Sequence, residues 1–271
     1  MKAPMATKTP VAKTAPTKSA ALKKDSGTAS TAVSVNKPNT NMVSIQEALR
    51  AQVAGLAERT APASGNSIRV TQDKKFLLPD GSKSPGPLEL VVVDFVATHN
   101  FYAGAYDKDN IQPPACFAVG TNPRDMTPSK NSPQPQAKSC QDCPMNQFGS
   151  DGTGKACKNG RALAVLPPDA DADTEMWKLS VSPTALKGFD GYVGTVARTF
   201  GMPPVGVVTT VEFDDSVTYA KLTFSNPVPN EQVAVGFARQ TEAREMLMAE
   251  PDVSGFVAPS RTPAKKSVGR R

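Results

Sequence analysis

Residues 139–166 read SCQDCPMNQFGSDGTGKACKNGRALAVL, and the rest of the chain is read outward from them. Cys140, Cys143 and Cys157 lie in this stretch, and the fourth cysteine, Cys116, lies upstream in PPACFAVG. A C-x2-C step lets two thiolates reach one ion from a single turn. A cysteine on each side can then complete a tetrahedral four-cysteine zinc site. Pro144 and the glycines Gly149, Gly152 and Gly154 suit a tight knuckle. The following ALAVL reads as a buried strand, so the knuckle is expected on the rim of a sheet. With every ligand a cysteine, the Zn2+ would be structural rather than catalytic. Two disulfides, a redox C-x2-C pair and four unlinked thiols are the other readings. The segment MKAPMATKTP is basic but has no apolar h-region, so no signal peptide is expected, and a reducing, cytoplasmic setting is.

No apolar run approaches the roughly 18 residues of a membrane span, so no membrane partner is expected. The net charge is +6, but it is unevenly spread. Residues 1–42 carry +6 and residues 257–271 carry +5, which leaves −5 on residues 43–256. Basic arms of this kind suit nucleic acid or an acidic partner, or simply solubilise the chain. The expected organisation is a disordered basic tail over 1–43, a short amphipathic helix over 44–58, a globular domain over 67–250 and a second disordered basic tail over 255–271. In the helix, Ser44 with Glu47 reads as a capping box, and Ile45, Leu49, Val53 and Leu56 form one apolar stripe.

Within the globular part, 68–70 and 75–78 read as a hairpin. The segment 88–98, LELVVVDFVAT, is apolar almost throughout and reads as the central strand. Further strands are expected over 115–119, 161–166 and 176–181. A helix is expected over 182–200, with Ser182 as its N-cap, Pro183 at its first position and Gly201 ending it. A second hairpin spans 205–213 and 218–224. A last helix covers 230–249, with Val233, Phe237 and Leu247 on its inner side. There is no strand–helix–strand alternation, so the class is α+β with an antiparallel sheet. The preferred version is a partly open, oligonucleotide-binding (OB)-like barrel with a zinc knuckle insertion and two helices in its C-terminal half.

Catalysis is the weaker class. His99 is the only histidine, and at the end of an apolar strand it reads as a structural hydrogen-bonder. No phosphate-binding GxxxxGK[ST] loop is present. The acids Asp169, Asp171, Asp173 and Glu175 read as solvated charge in a turn. Binding fits better, because single-stranded nucleic acid is held by basic grooves with aromatic faces for the bases. The candidates are Phe101, Tyr102 and Tyr106 after the central strand and Phe148 in the knuckle. Lys130, Lys138, Lys155, Lys158 and Arg161 would track phosphates. The window 121–161 is +3 within the −5 region. Each aromatic could equally fill a core.

The stretch CQDCPMNQFGSDGTGKACKNGRALAVL, with the later WKLSVSPTALKGFDGYVGTV, VVTTVEF and YAKLTFS, resembles proteins of tailed bacteriophages, some of them described as single-stranded DNA-binding. The resemblance covers about residues 67–250. It implies an OB-type fold with a zinc knuckle and a non-enzymatic role in phage DNA replication or recombination, in the host cytoplasm. Single-stranded DNA is the expected partner, with replication or recombination proteins and an oligomeric form as further expectations. Such binders commonly end in an acidic tail that recruits partners, whereas this sequence closes on SRTPAKKSVGRR, a tail suited to DNA itself. The rival readings are a virion or assembly protein whose basic arms contact DNA, and an accessory nuclease or recombination enzyme.

Overall fold

The computed structural model describes residues 65–104 and 110–258, together with Ile45 and Asp107. The chain divides into two units, 1–55 and 56–271, and every described residue except Ile45 belongs to the second. The expected tail over 1–43, the helix over 44–58 apart from Ile45, Tyr106, and the tail beyond residue 258 lie outside the described residues.

The core is built on strand β4, Leu88–Phe101, whose sequence is apolar on both sides because both of its faces are covered. Leu90, Val92 and Phe95 pack on one face, and Val93 and Val96 on the other. That pattern breaks strict alternation at one point. The register against the neighbouring strand shifts between Val92 and Asp94, and the extra residue of this bulge turns Phe95 onto the first face.

Eight more strands join β4: β1 Ser67–Val70, β2 Phe76–Leu77, β3 Lys83–Ser84, β5 Cys116–Gly120, β6 Cys157–Leu166, β7 Trp177–Val181, β8 Val207–Phe213 and β9 Leu222–Pro229. They run in the order β3-β2-β1-β7-β6-β4-β8-β9, and β5 also pairs with β4. The strands form a curled, open mixed sheet, a half-barrel, in an α+β fold with few helices. The expectation of a purely antiparallel sheet is corrected at one pair. β1 runs parallel to β7, with Ser67 opposite Lys178 and Ile68 opposite Leu179. Nothing local in either strand marks that pairing, because the two are brought together by the intervening sheet.

Helix α1, Leu186–Phe200, covers the first face and buries Phe189, Tyr192 and Val196. The Phe189 ring meets Phe95 and Phe224 edge-on, with centroids 5.2 and 4.9 Å away. Tyr192 Oη and Thr209 Oγ1 share a buried hydrogen bond of 2.8 Å. The helix starts later than expected. Ala185 is its N-cap, and the Ser182 hydroxyl is taken up by Thr184 at 2.9 Å. Gly201 closes it with φ 65°, a left-handed turn that glycine adopts without cost.

The expected helix over 230–249 is two short ones, α2 Val233–Ala238 and α3 Gln240–Met248, broken at Arg239. Arg239 Nε and Nη2 donate to Glu242 at 2.8 Å each, and Nη1 donates to the Thr174 carbonyl. The break changes the phase, so Val233 and Phe237 do not face inward: they are 41% and 67% exposed. Gly236 is what α2 presents to the core, and a Cβ there would lie 2.7 Å from Val205 Cγ2. Leu247, with Ala243, is buried as expected, against the second face of the sheet. Among the described residues no helix is long and apolar enough to cross a membrane.

Candidate nucleic-acid interface and cysteine knuckle

The far end of the β4–β5–β6 ladder carries the cysteines. Cys116 of β5 and Cys157 of β6 are both paired with Phe101, one on each side of β4. Directly opposed residues point to the same face, so both thiols share the face of Phe101. Moving along that face, His99 lies between Ala118 and Asn159, and Ala97 lies opposite Arg161. The strand β6 starts at Cys157 itself, earlier than the sequence suggested, and this fixes the last cysteine on the sheet rather than in the loop.

Residues 121–156 leave β5 and fold back over this end. The Ser129 amide donates to the Phe117 carbonyl at 2.8 Å, and the Gln134 amide to the Ala115 carbonyl at 2.7 Å. The buried Ser132 hydroxyl accepts from the Phe117 amide and donates to its carbonyl, at 3.0 and 3.1 Å. Cys140 then enters a small core with Ala97, Ala118 and Met126. Pro144–Asn146 form one 3-10 turn straight after Cys143. The Asn146 amide nitrogen Nδ2 closes the turn onto the Cys140 carbonyl at 2.7 Å. Gly149 and Gly152, at φ 91° and 59°, supply the positive backbone angles of the tip.

All four cysteines are free and buried, between 6% and 8% exposed. Burial pushes the Cys157 thiol up to about 12, and Cys140, Cys143 and Cys116 add to it by their charge. Burial likewise pushes Cys140 up to about 11, helped by Cys116 and Cys143. Cys157 thus lies within electrostatic reach of the other three cysteines, and Cys140 within reach of Cys116 and Cys143. Among the described residues, however, no group of three or more His, Cys, Asp or Glu side chains is arranged to hold a metal ion.

The aromatic candidates separate. Phe148 stands out at the knuckle tip, 80% exposed, with Lys155 Nζ 5.0 Å from its ring centroid. Tyr102 is 46% exposed just past the end of β4, and Phe101 is half-buried. The cations separate too. Lys130 and Lys138 are exposed on the loop. Lys158 leaves β6 on the opposite face from Cys157 and its ammonium pairs with Asp151 at 2.8 Å. The Arg161 side chain is 11% exposed and pairs with Asp190 of α1 at 3.0 Å. Lys155 meets Asn146 Oδ1 at 3.3 Å.

Sequence reading missed the polar floor beneath these groups. His99 is 4% exposed, yet its Nδ1 has no hydrogen-bond partner among the described residues. Burial, with the charges of Lys155 and Arg161, holds its pKa down at about 4. Asn159, directly across the ladder, has an unpartnered buried Oδ1. The available signal was strand alternation, which places Asn159 between Cys157 and Arg161 on one face. The acidic turn is locally occupied: Asp171 Oδ1 accepts from the Thr174 hydroxyl at 2.6 Å.

Compared with known protein families, curated proteins and solved structures, the chain shows no match.

Proposed function

We propose that this chain binds single-stranded DNA at the knuckle end of its sheet, as a non-enzymatic protein of phage type serving DNA replication or recombination. The observation that carries the reading is Phe148, an aromatic ring 80% exposed under a lysine ammonium on a loop tied to the sheet. A free aromatic face beside cations is what base stacking and phosphate attraction need. Tyr102, Lys130, Lys138 and Lys155 extend the surface. On this reading the half-barrel is a partly open OB-like barrel. The basic tails add counterion release that is blind to sequence.

Cys116, Cys140, Cys143 and Cys157 are proposed to hold one structural zinc. Four free buried thiols at one end of the sheet, with Cys140 and Cys157 pushed up by burial and then by the neighbouring cysteines, are the supporting observation. Bound zinc would supply a crosslink between the sheet and the loop over it; the chain's own residues bind the strand. Elemental analysis of freshly purified, unsupplemented protein is expected to give one zinc per chain. No metal together with four freely titrating thiols removes the assignment.

Titration of the full chain against fluorescent single-stranded and duplex oligonucleotides tests the function. Preference for the single strand, weakened by salt, is expected. Equal affinity for both would favour the rival reading, a virion or assembly protein whose basic arms pack against DNA. Metal-dependent cleavage would favour a nuclease.

A further inference from the structure

We infer that His99, Asn159 and Lys155 form a subsite for one backbone phosphate of the bound strand, on the floor between the knuckle and α1. The inference rests on the single-strand reading above and adds to its Lys155 two residues that reading did not use, His99 and Asn159. His99 and Asn159 are opposed across β4 and β6, so their side chains leave the sheet on the same side. Each carries a buried atom without a partner among the described residues, Nδ1 and Oδ1. Buried polar atoms are almost always satisfied, so two orphans side by side call for a ligand or an ordered water. The surroundings select its charge. Lys155 and Arg161 are the charges that act on His99, and Arg161 is already paired with Asp190. Lys155 makes a hydrogen bond to Asn146 and lies over Phe148. Lys155, whose contacts are an amide oxygen and a ring rather than a carboxylate, favours an acceptor oxygen there. Neutral imidazole can carry its proton on Nδ1, and the Asn159 amide can turn its NH2 inward, since the two ends of an amide and the two imidazole tautomers interchange readily. Both then donate to the same phosphate oxygen once the half-buried Asn159 side chain turns to admit it.

The chain has one histidine, so a long-range nitrogen–proton NMR spectrum of the labelled full chain reports on His99 alone. Three samples decide: free protein, protein with an oligothymidylate, and protein with inorganic phosphate. The expected result is that the oligothymidylate moves Nδ1 to the signature of a protonated donor while inorganic phosphate leaves it in place. Asn159→Ala and Lys155→Ala should each weaken the oligothymidylate about tenfold, and Asn159→Ala should abolish the His99 response. If the strand binds and the His99 signals stay put, an ordered water satisfies the pair, and the subsite is wrong while the functional reading stands. A response to inorganic phosphate alone overturns the strand assignment in favour of a free-anion site. No binding of the oligothymidylate at all sinks the functional reading and this inference with it.

Discussion

Two halves of one sheet face, built from the same strands β4 and β6, are buried in opposite ways. Under α1 the contacts are Phe95, Leu163, Val165 and Phe189, with the last three at 0% exposure. Under the knuckle they are Ala97, Ala118, Met126 and Cys140, flanked by His99 and Asn159. The first half is stabilised by apolar area and ring contacts, which need nothing from outside the chain. The second buries thiols, an imidazole and amides, whose free energy depends on what they bond. One half is held by apolar contact alone, and the other buries polar groups, two of whose atoms have no partner among the described residues.

The largest expected effect breaks the first half. Phe189→Ala removes a fully buried ring that touches Phe95 and Phe224. It should cost about 3–5 kcal/mol of stability in denaturant titrations. Oligonucleotide affinity, measured under conditions where the variant is folded, should be unchanged. Altered affinity of the folded variant would show that the two halves are coupled.

The next effect belongs to the second half and appears with pH. His99 is held down at about 4 from an ordinary 6.5. As pH falls, the unfolded chain takes up this proton first. The stability is therefore fully present above about 6.5 and is lost progressively as pH falls toward 4. The total is about 3 kcal/mol, since one pKa unit is worth about 1.4 kcal/mol. Urea midpoints of the wild type should fall between pH 7 and pH 5 more steeply than those of His99→Gln. Parallel curves would mean that the imidazole is not desolvated in the folded state.

The two halves also differed in how far the sequence disclosed them. Apolar periodicity located β4, α1 and the Gly201 cap, because burial by apolar side chains leaves a pattern along the chain. It overreached where local chemistry intervened. Ser182 satisfies Thr184 instead of capping α1, and the expected helix breaks at Arg239, three residues past Gly236, with Phe237 turned outward. In the knuckle half, cysteine spacing drew attention to one end of the sheet, where all four cysteines are buried and free. The fates of the cations were hidden, because Asp151 and Asp190 reach Lys158 and Arg161 only through the fold. The vacant bonding positions of His99 and Asn159 depend on a strand register that no short stretch of sequence encodes.

The smallest effect on stability should carry the largest effect on binding, and it falls at Phe148. The ring is 80% exposed, so Phe148→Ala removes little buried area, and its melting temperature should stay close to wild type, a change within about 0.5 kcal/mol. Stacking of a base on an aromatic ring is worth about 1–3 kcal/mol. The same substitution should therefore weaken single-strand binding by roughly 5- to 150-fold. Lys155 sharpens the test, because its ammonium lies 5.0 Å from the ring centroid on a face that a base would take. Phe148→Trp keeps a stacking surface and should retain affinity, whereas Phe148→Leu keeps apolar bulk without a π-face and should not. Phe189→Ala would then melt early and bind normally, while Phe148→Ala would melt normally and bind poorly. If Phe148→Ala binds as tightly as wild type, the exposed ring is not a stacking platform, and Tyr102 becomes the residue on which the single-strand reading has to stand.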